Sequence, residues 1–192
     1  ADSMQFYKGM NIGTAKLPEP ERLGVEHHLL DWLEITDEST AAEYQPRARA
    51  TILELQARGV TPILVGGSML YIAAVLNDFG FAARDEEVRK QLESDLEELG
   101  ESELYRRLME LAPDTASRID PKNGRRIVRA LEVVELQGSF AARLPEPTPW
   151  REARWIGLSC DRLVLDARIA ARVDRMWESG LVDEVRDLSS RM

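Results

Sequence analysis

The segment from residue 40 to residue 77 constrains the fold most, because helix and strand signals alternate in it around glycines. Residues 40–59 carry a helical apolar period that stops at a glycine, and residues 60–65 are a short apolar run of strand type. Two glycines follow, and then a second apolar helix over residues 68–76. Helix, strand, glycine turn and helix in this order indicate a parallel α/β sheet.

Single residues predict where these two helices begin. Thr40 with Glu43 resembles a capping box, but Pro46 disfavours a helix interior. The regular part of the first helix is therefore predicted to begin near Pro46. Ser68, directly after the two glycines, is predicted to cap the second helix.

The pattern changes after residue 77. Residues 78–151 predict three helices and no convincing strand. The first helix covers 86–99 and the second starts at Ser102. The third is capped by Asp120, has Pro121 in its first position and ends at Gly138. This stretch is predicted to be an all-helical insertion.

The last part of the chain returns to the earlier pattern. Residues 155–159 have strand character, Asp161 is predicted to cap a long helix that ends at Gly180, and a further helix begins near Leu181. We therefore predict an α/β core over residues 1–77 and 152–192 and a helical insertion over 78–151.

The charge of the chain is unevenly distributed. The net charge of −9 argues against a uniformly basic nucleic-acid binder, yet five basic residues face one acid between Arg118 and Arg129. An acidic protein can still bind RNA through such a local patch. One cysteine, no zinc-type spacing, no secretory leader and no run of membrane-spanning length favour a cytoplasmic protein, which we expect to be a monomer.

Two short motifs in the α/β part could carry chemistry. Asp2 is predicted to follow a strand end, where open α/β sheets bind ligands, and its carboxylate could act as a general base or hold a metal ion. Gly66, Gly67 and Ser68 would let a ligand approach the backbone at a helix start. Each motif also has a plain structural interpretation as a turn.

Two groups of arginines lie at helical spacing. Arg125, Arg126 and Arg129 can point outward together, which suits a phosphate backbone. A second group, which suits a diphosphate, consists of Arg168, Arg172 and Arg175. A solvated helix face, with Glu132 as an ion-pair partner in the first group, is an equally good explanation.

In their order along the chain, these motifs resemble the tRNA dimethylallyltransferase (tRNA isopentenyltransferase) family. The resemblance rests on residues 2–5, 7–16, 27–31, 62–71, 125–133, 168–173 and 180–185. It implies a P-loop-kinase-like parallel sheet core with an all-helical insertion domain that grips the anticodon stem-loop. It also implies transfer of a dimethylallyl group from dimethylallyl diphosphate, with Mg²⁺, to the exocyclic amine of the adenosine 3′ to the anticodon.

The resemblance further implies roles for individual residues. Asp2 would be the general base, and Arg172 would bind the diphosphate. The contacts with the substrate tRNA would come from Asp2, Ser3, Met4, Gln5, Ser68, Arg89, Arg125, Arg126, Ile127, Val128 and Arg129.

Some features depart from the family pattern. Asn11 and Ser68 stand where aspartate and threonine are more usual. The family's phosphate-binding loop, and its later helices with an Arg-Gln pair, are not among the 192 residues. We therefore expect a truncated polypeptide that is inactive by itself.

Three other functions fit parts of the sequence. An adenylate isopentenyltransferase would prenylate a free nucleotide, but it would not need a basic helical insertion. A small-molecule kinase of the same fold class would use ATP and would not need the motif at residues 2–5. A non-catalytic RNA-binding fragment is the alternative from a different class.

Overall fold

The computed structural model describes residues 1–78, 80–140 and 146–192 and divides into two compact units. The first unit comprises Ala1–Asp78 and Pro147–Met192, and the second comprises Phe79–Glu146. Among the described residues, no helix combines the length and apolar character needed to cross a membrane.

Helices α1 (Ala41–Ala57) and α2 (Met69–Leu76) pack together in the first unit. Helix α1 begins at Ala41 and not near Pro46, which corrects the sequence prediction. The Thr40 hydroxyl accepts a hydrogen bond from the Glu43 amide at 3.2 Å, and Tyr44 is buried. The cap and this aromatic anchor outweigh the one backbone hydrogen bond that a proline removes.

Aromatic rings form the centre of the first unit. The Phe6 ring stacks on Tyr44 at 4.9 Å and meets Tyr71 edge-on at 5.6 Å. Leu33 and Val75 complete the buried cluster. Each such ring pair contributes roughly 0.5–1.5 kcal/mol beyond the area it buries, so Phe6 anchors the N-terminal segment firmly.

The second unit contains α3 (Glu86–Leu111), the short α4 (Pro113–Ala116) and α5 (Gly124–Gln137). Gly100 interrupts α3 with a φ of 78°, which confirms the predicted break. The core of this unit is formed by apolar faces of α3 and α5, including Leu92, Leu104, Leu108, Ile127 and Leu131.

Helix α5 begins later than the sequence predicted. Asp120 accepts a hydrogen bond from the Lys122 amide and so caps a turn, whereas the Asn123 side chain caps α5 by accepting from Arg126 at 3.1 Å. The helix ends at Gly138, which has a φ of 76° and confirms the predicted stop.

Helices α6 (Arg162–Glu178) and α7 (Leu181–Ser189) complete the first unit. The Asp161 carboxylate caps α6 by accepting from Leu163 at 2.9 Å. Gly180, with a φ of 95°, separates the two helices, so both predicted boundaries are confirmed.

The predicted strands form no sheet among the described residues, where the isolated bridges join Tyr7 to Leu33 and Asn77 to Pro149. Residues 60–65 and 155–159 expose apolar side chains instead, in contrast with the predicted P-loop-kinase-like parallel sheet. An apolar run becomes a strand only when a neighbouring strand supplies hydrogen-bond partners, and no described strand does so here.

The segment where the chain leaves the first unit lies beside the segment where it re-enters that unit. The Asp78 amide donates to the Thr148 carbonyl at 2.6 Å, and the Trp150 amide donates to the Leu76 carbonyl at 2.8 Å. The Arg49 guanidinium lies 4.5 Å from the centre of the Trp150 ring. It also donates to the carbonyl oxygens of Val75, at 3.1 Å, and of residues 74 and 77. Arg49, which lies in α1, thereby binds both the segment that leaves the first unit and the segment that re-enters it.

Candidate functional site

Asp2 stands at the head of a tight turn formed by Ser3–Phe6. Its carboxylate accepts a hydrogen bond from the Met4 amide at 3.0 Å, and its carbonyl accepts from the Gln5 amide at 3.2 Å. Phe6, which is 1% exposed, fixes the other end of the turn in the aromatic cluster. The Asp2 side chain remains partly exposed, so it is held in place and accessible to a substrate.

The glycine turn at residues 66–68 packs directly against this turn. The Ser68 hydroxyl accepts a hydrogen bond from the Ser3 amide at 3.3 Å, and the two serine oxygens lie 3.5 Å apart. Ser68 precedes α2 but its hydroxyl makes no capping hydrogen bond to that helix, which corrects the predicted cap. Two motifs 65 residues apart in the sequence therefore share one surface.

Close backbone contact explains why the first of the two glycines is a glycine. A Cβ at Gly66 would lie 2.1 Å from the Ala1 carbonyl oxygen, whereas a Cβ at Gly67 would meet nothing within 4 Å. The contact brings the backbone of Ala1 against the turn, and the Ser68 amide donates to the Ala1 carbonyl at 3.4 Å.

We expect Gly66→Ala to lower the free energy of unfolding by about 1–3 kcal/mol, because the added methyl must displace backbone. Gly67→Ala is the matched control and should change it by no more than about 0.5 kcal/mol. Urea denaturation followed by circular dichroism measures both. Equal stabilities of the two variants would show that the Gly66 contact does not constrain the fold.

The Gln5 side chain is oriented by a neighbouring loop. Its Nε2 donates to the Thr14 carbonyl at 3.0 Å, and the main-chain carbonyl of Gln5 accepts from the Asp31 amide at 3.3 Å. The nearby Lys16, which is buried, donates to the Tyr7 carbonyl at 2.8 Å and forms an ion pair with Asp31. Sequence reasoning gave Lys16 no role, although it lies within the block at 7–16 that carries the family resemblance.

Three arginines of α6 were predicted to bind a diphosphate. Arg168, Arg172 and Arg175 are exposed, and none of the three forms an ion pair with another described residue. No hydrogen bond links Arg172 to Asp2 or Ser68 within the described chain. The residues described also contain no group of three His, Cys, Asp or Glu side chains that could hold a metal ion.

In the second unit, the five residues at 125–129 do not present one common face. Arg125 and Arg126 are exposed and have no ion-pair partner in the described ranges. Ile127 and Val128 are 0% and 2% exposed, so their side chains belong to the core of this unit, and their contact with tRNA stays a prediction. Both lie on the apolar face of α5, which packs in the core of the second unit.

Arg129 also departs from the outward orientation that spacing predicted. Its Nη1 donates to Glu132 at 2.8 Å, and both of its terminal nitrogens donate to the carbonyls of residues 82–83 at 2.9 Å. The cause is the burial of Glu132, which is 0% exposed and therefore requires a cationic partner.

Arg89 is the second partner of Glu132. Its Nη2 donates to Glu132 at 3.0 Å, and the Asp85 amide donates to the same carboxylate at 3.1 Å. Burial by itself raises the pKa of Glu132, but the hydrogen bonds from Arg129 and Arg89 hold the pKa below its ordinary value. Arg89, predicted to reach tRNA, is thus committed largely to a buried carboxylate and is only a quarter exposed.

The chain is similar to known proteins over its whole length. The IPP transferase family model matches residues 5–192. The chain is 53% identical over all 192 residues to a tRNA dimethylallyltransferase of Salinispora arenicola, and 54% identical over 192 residues to that of Kineococcus radiotolerans. It covers 56% and 61% of these two relatives, so it spans well under two thirds of their length.

Solved structures give the same result. The structure of a tRNA isopentenylpyrophosphate transferase from Bacillus halodurans is similar over 99% of this chain and 60% of its own, with a TM-score of 0.62 and 40% identity. A eukaryotic dimethylallyltransferase, described as acting on tRNA, is similar over 100% of this chain and 48% of its own, with a TM-score of 0.78 and 26% identity.

Proposed function

Because this chain belongs to the IPP transferase family, we propose that the full-length protein prenylates tRNA. The reaction transfers the dimethylallyl group of dimethylallyl diphosphate to the exocyclic amine of the adenosine on the 3′ side of the anticodon. Relatives named tRNA dimethylallyltransferase support the proposal. The observation that carries it is the contact between the turn headed by Asp2 and the glycine turn at 66–68.

Asp2 is suited to the chemistry of this reaction. An adenine amino group is a poor nucleophile, because its lone pair is delocalised into the ring. A fixed carboxylate can remove the amine proton as the new C–N bond forms and the diphosphate leaves. The Met4 amide holds the Asp2 carboxylate in one orientation, which reduces the cost of aligning it with the amine.

The side chains that follow Asp2 would form the adenosine pocket. We assign contacts with the base to Ser3, Met4 and Gln5, and a contact through its hydroxyl to Ser68. Gln5 donates through Nε2 to Thr14, so its Oε1 is available to accept a hydrogen bond from an amine. An adenosine in the anticodon loop reaches such a pocket at modest cost, because flipping is cheapest for bases outside a duplex.

For the diphosphate we propose Arg172, whose guanidinium can bind two phosphate oxygens at once. The described residues contain no group of three His, Cys, Asp or Glu side chains that could hold a metal ion by themselves. We propose that Mg²⁺ enters with the diphosphate, whose oxygens it prefers to an all-protein cage.

We also propose that the first unit belongs to a P-loop-kinase-like core with a parallel sheet. Residues 60–65 and 155–159 supply strands of this sheet in the full-length protein. Their apolar side chains support this arrangement: Ile63 is 82% exposed and Leu158 is 96% exposed, whereas strands of parallel sheets are normally covered on both faces.

We propose that the helical insertion predicted over residues 78–151, which contains the second unit, binds the anticodon stem-loop. Arg125 and Arg126 lie in the first turn of α5, and this turn contains no acidic residue. Positive charge is unfavourable at a helix N-terminus, because the helix dipole is also positive there. Two arginines at this end that pair with no acid among the described residues therefore favour a site for phosphate groups.

We expect Arg125→Ala and Arg126→Ala each to weaken stem-loop binding and to reduce the slope of log K against log salt by about 1. Arg106→Ala is the matched control, because Arg106 carries the same charge in the same unit but is neutralised by Glu103 and Glu110. Fluorescence anisotropy at several salt concentrations gives the slopes. Identical slopes for all three variants would remove α5 from the RNA interface.

A direct assay tests the function itself. The full-length protein is incubated with dimethylallyl diphosphate, Mg²⁺ and either an anticodon stem-loop or free AMP, and mass spectrometry detects the prenyl group. We expect product on the stem-loop alone. Product on AMP alone would assign the protein to nucleotide prenylation, and binding of the stem-loop without product on either substrate would leave an RNA-binding protein.

A further inference from the structure

A carboxylate from α7 is held by the loop at residues 9–14. Glu184 accepts hydrogen bonds from the backbone amides of Asn11 at 2.9 Å, Ile12 at 2.7 Å and Gly13 at 3.0 Å. Both carboxylate oxygens take part, since Oε2 accepts two of the bonds and Oε1 the third. Three consecutive amides directed at one anion form a backbone nest, and hydrogen bonds to a charged acceptor are about twice as strong as neutral ones.

The fit between this loop and α7 is close at other atoms as well. A Cβ at Gly13 would lie 3.2 Å from Leu181 Cδ1, and a Cβ at Gly9 would lie 3.1 Å from Leu188 Cδ2. Leu188 is buried. The loop therefore rests on the side of α7 that carries Leu181, Glu184 and Leu188, at spacings of three and four residues that place them on one helix face.

The same loop contacts the turn that follows Asp2. The Thr14 carbonyl accepts from the Gln5 side chain at 3.0 Å, and the Thr14 hydroxyl donates to the Met10 carbonyl at 2.6 Å. The Lys16 amide donates to the Asn11 carbonyl at 2.9 Å. A short series of hydrogen bonds thus leads from the Glu184 carboxylate through the loop to Gln5.

We propose that Glu184 is a positioning residue for the turn headed by Asp2. It acts by fixing the loop at 9–14, which in turn fixes Gln5 against Thr14. Glu184 itself touches no substrate. The inference rests on the proposed function, since the turn is the part of the chain to which we assign the adenosine amine and its base.

Glu184→Gln tests the inference in the full-length protein. The amide side chain keeps the size of glutamate but has one acceptor oxygen, so its NH₂ group must face at least one of the three donors. Asp183→Asn is the matched control, because it removes an exposed carboxylate from the same helical turn, and among the described residues that carboxylate pairs with Arg186 alone.

Two measurements are made on each variant. Hydrogen exchange followed by mass spectrometry should show faster exchange in peptides covering residues 2–6 and 11–14 of Glu184→Gln, with Asp183→Asn like the wild type. Turnover on the stem-loop should fall about 10- to 100-fold in Glu184→Gln, with the KM for dimethylallyl diphosphate within twofold of wild type. A general loss of loop structure would change both turnover and this KM. A fall in turnover with an unchanged KM therefore identifies a positioning role.

The outcomes separate this inference from the proposed function. Faster exchange at 11–14 but not at 2–6 overturns the inference, as does turnover equal to that of Asp183→Asn. If the wild-type protein transfers no prenyl group, the proposed function fails, and the exchange at residues 2–6 still decides whether Glu184 positions the turn. If Glu184→Gln does not fold, Gly13→Ala crowds the packing of the loop on α7 with the carboxylate retained, since its Cβ would lie 3.2 Å from Leu181 Cδ1, and the same criteria apply.

Discussion

Asp2→Asn is expected to lower the turnover number of the full-length protein about 10²- to 10⁴-fold on an anticodon stem-loop, because the amide cannot accept the amine proton. Asparagine keeps an oxygen that can accept from the Met4 amide, so the turn itself should persist. The KM for the stem-loop should therefore change little. Steady-state kinetics with the prenylated product quantified by mass spectrometry measures both parameters.

Two companion variants sharpen this prediction. Asp2→Ala removes the base and the cap together, and it should match Asp2→Asn in turnover while losing about 1 kcal/mol of stability. Glu19→Gln changes an exposed carboxylate and should leave turnover within twofold. Activity of Asp2→Asn within tenfold of the wild type would exclude Asp2 as the general base.

The second large effect is expected at Glu132. Glu132→Gln should lower the free energy of unfolding by roughly 3 kcal/mol, because Arg89 and Arg129 lose the buried carboxylate that both contact. Glu135→Gln, on the exposed side of the same helix, is the control and should change stability by no more than about 0.5 kcal/mol. Urea denaturation measures both changes, and equal values for the two variants would contradict the prediction.

The Glu132 contribution should depend on pH in a definite direction. The pKa of Glu132 is lower in the folded state than the ordinary value of 4.5. Its stabilisation is therefore complete well above pH 4.5 and is lost as the pH falls through the folded-state pKa. The difference in stability between wild type and Glu132→Gln should shrink on acidification below that pH, and a difference independent of pH would contradict the assignment.

Helix boundaries were predictable from the sequence where one residue decides them. Asp161 and Gly180 fix the ends of α6 by a cap and a left-handed backbone, and local sequence is enough to specify both. The sequence predicts a start of α1 near Pro46, but the helix begins at Ala41, where the Thr40 cap and the buried Tyr44 stabilise its first turns. Tertiary packing contributes to such a boundary, and the local sequence does not show which side chains will be buried.

The candidate site was predictable as separate motifs but not as a site. Local sequence indicates that Asp2 and Ser68 lie in turns, but not that the Ser3 amide donates to Ser68. Helical spacing likewise placed Arg129 with Arg125, because spacing states which residues share a face and not which have a buried partner. A glutamate between apolar neighbours on α5 was the available signal, and its burial explains where Arg129 points.

The hydrogen bonds that join Asp78 to Thr148 and Leu76 to Trp150 have a consequence for how this gene could be cut or extended. Since the chain leaves and re-enters the first unit at adjacent points, everything between them is topologically a loop of that unit. Loops whose ends are close tolerate insertion and deletion, because the entropic cost of closing a loop rises only slowly with its length. A short linker could replace the second unit, or a different domain could be grafted there, without separating the Arg49 contacts from their partners.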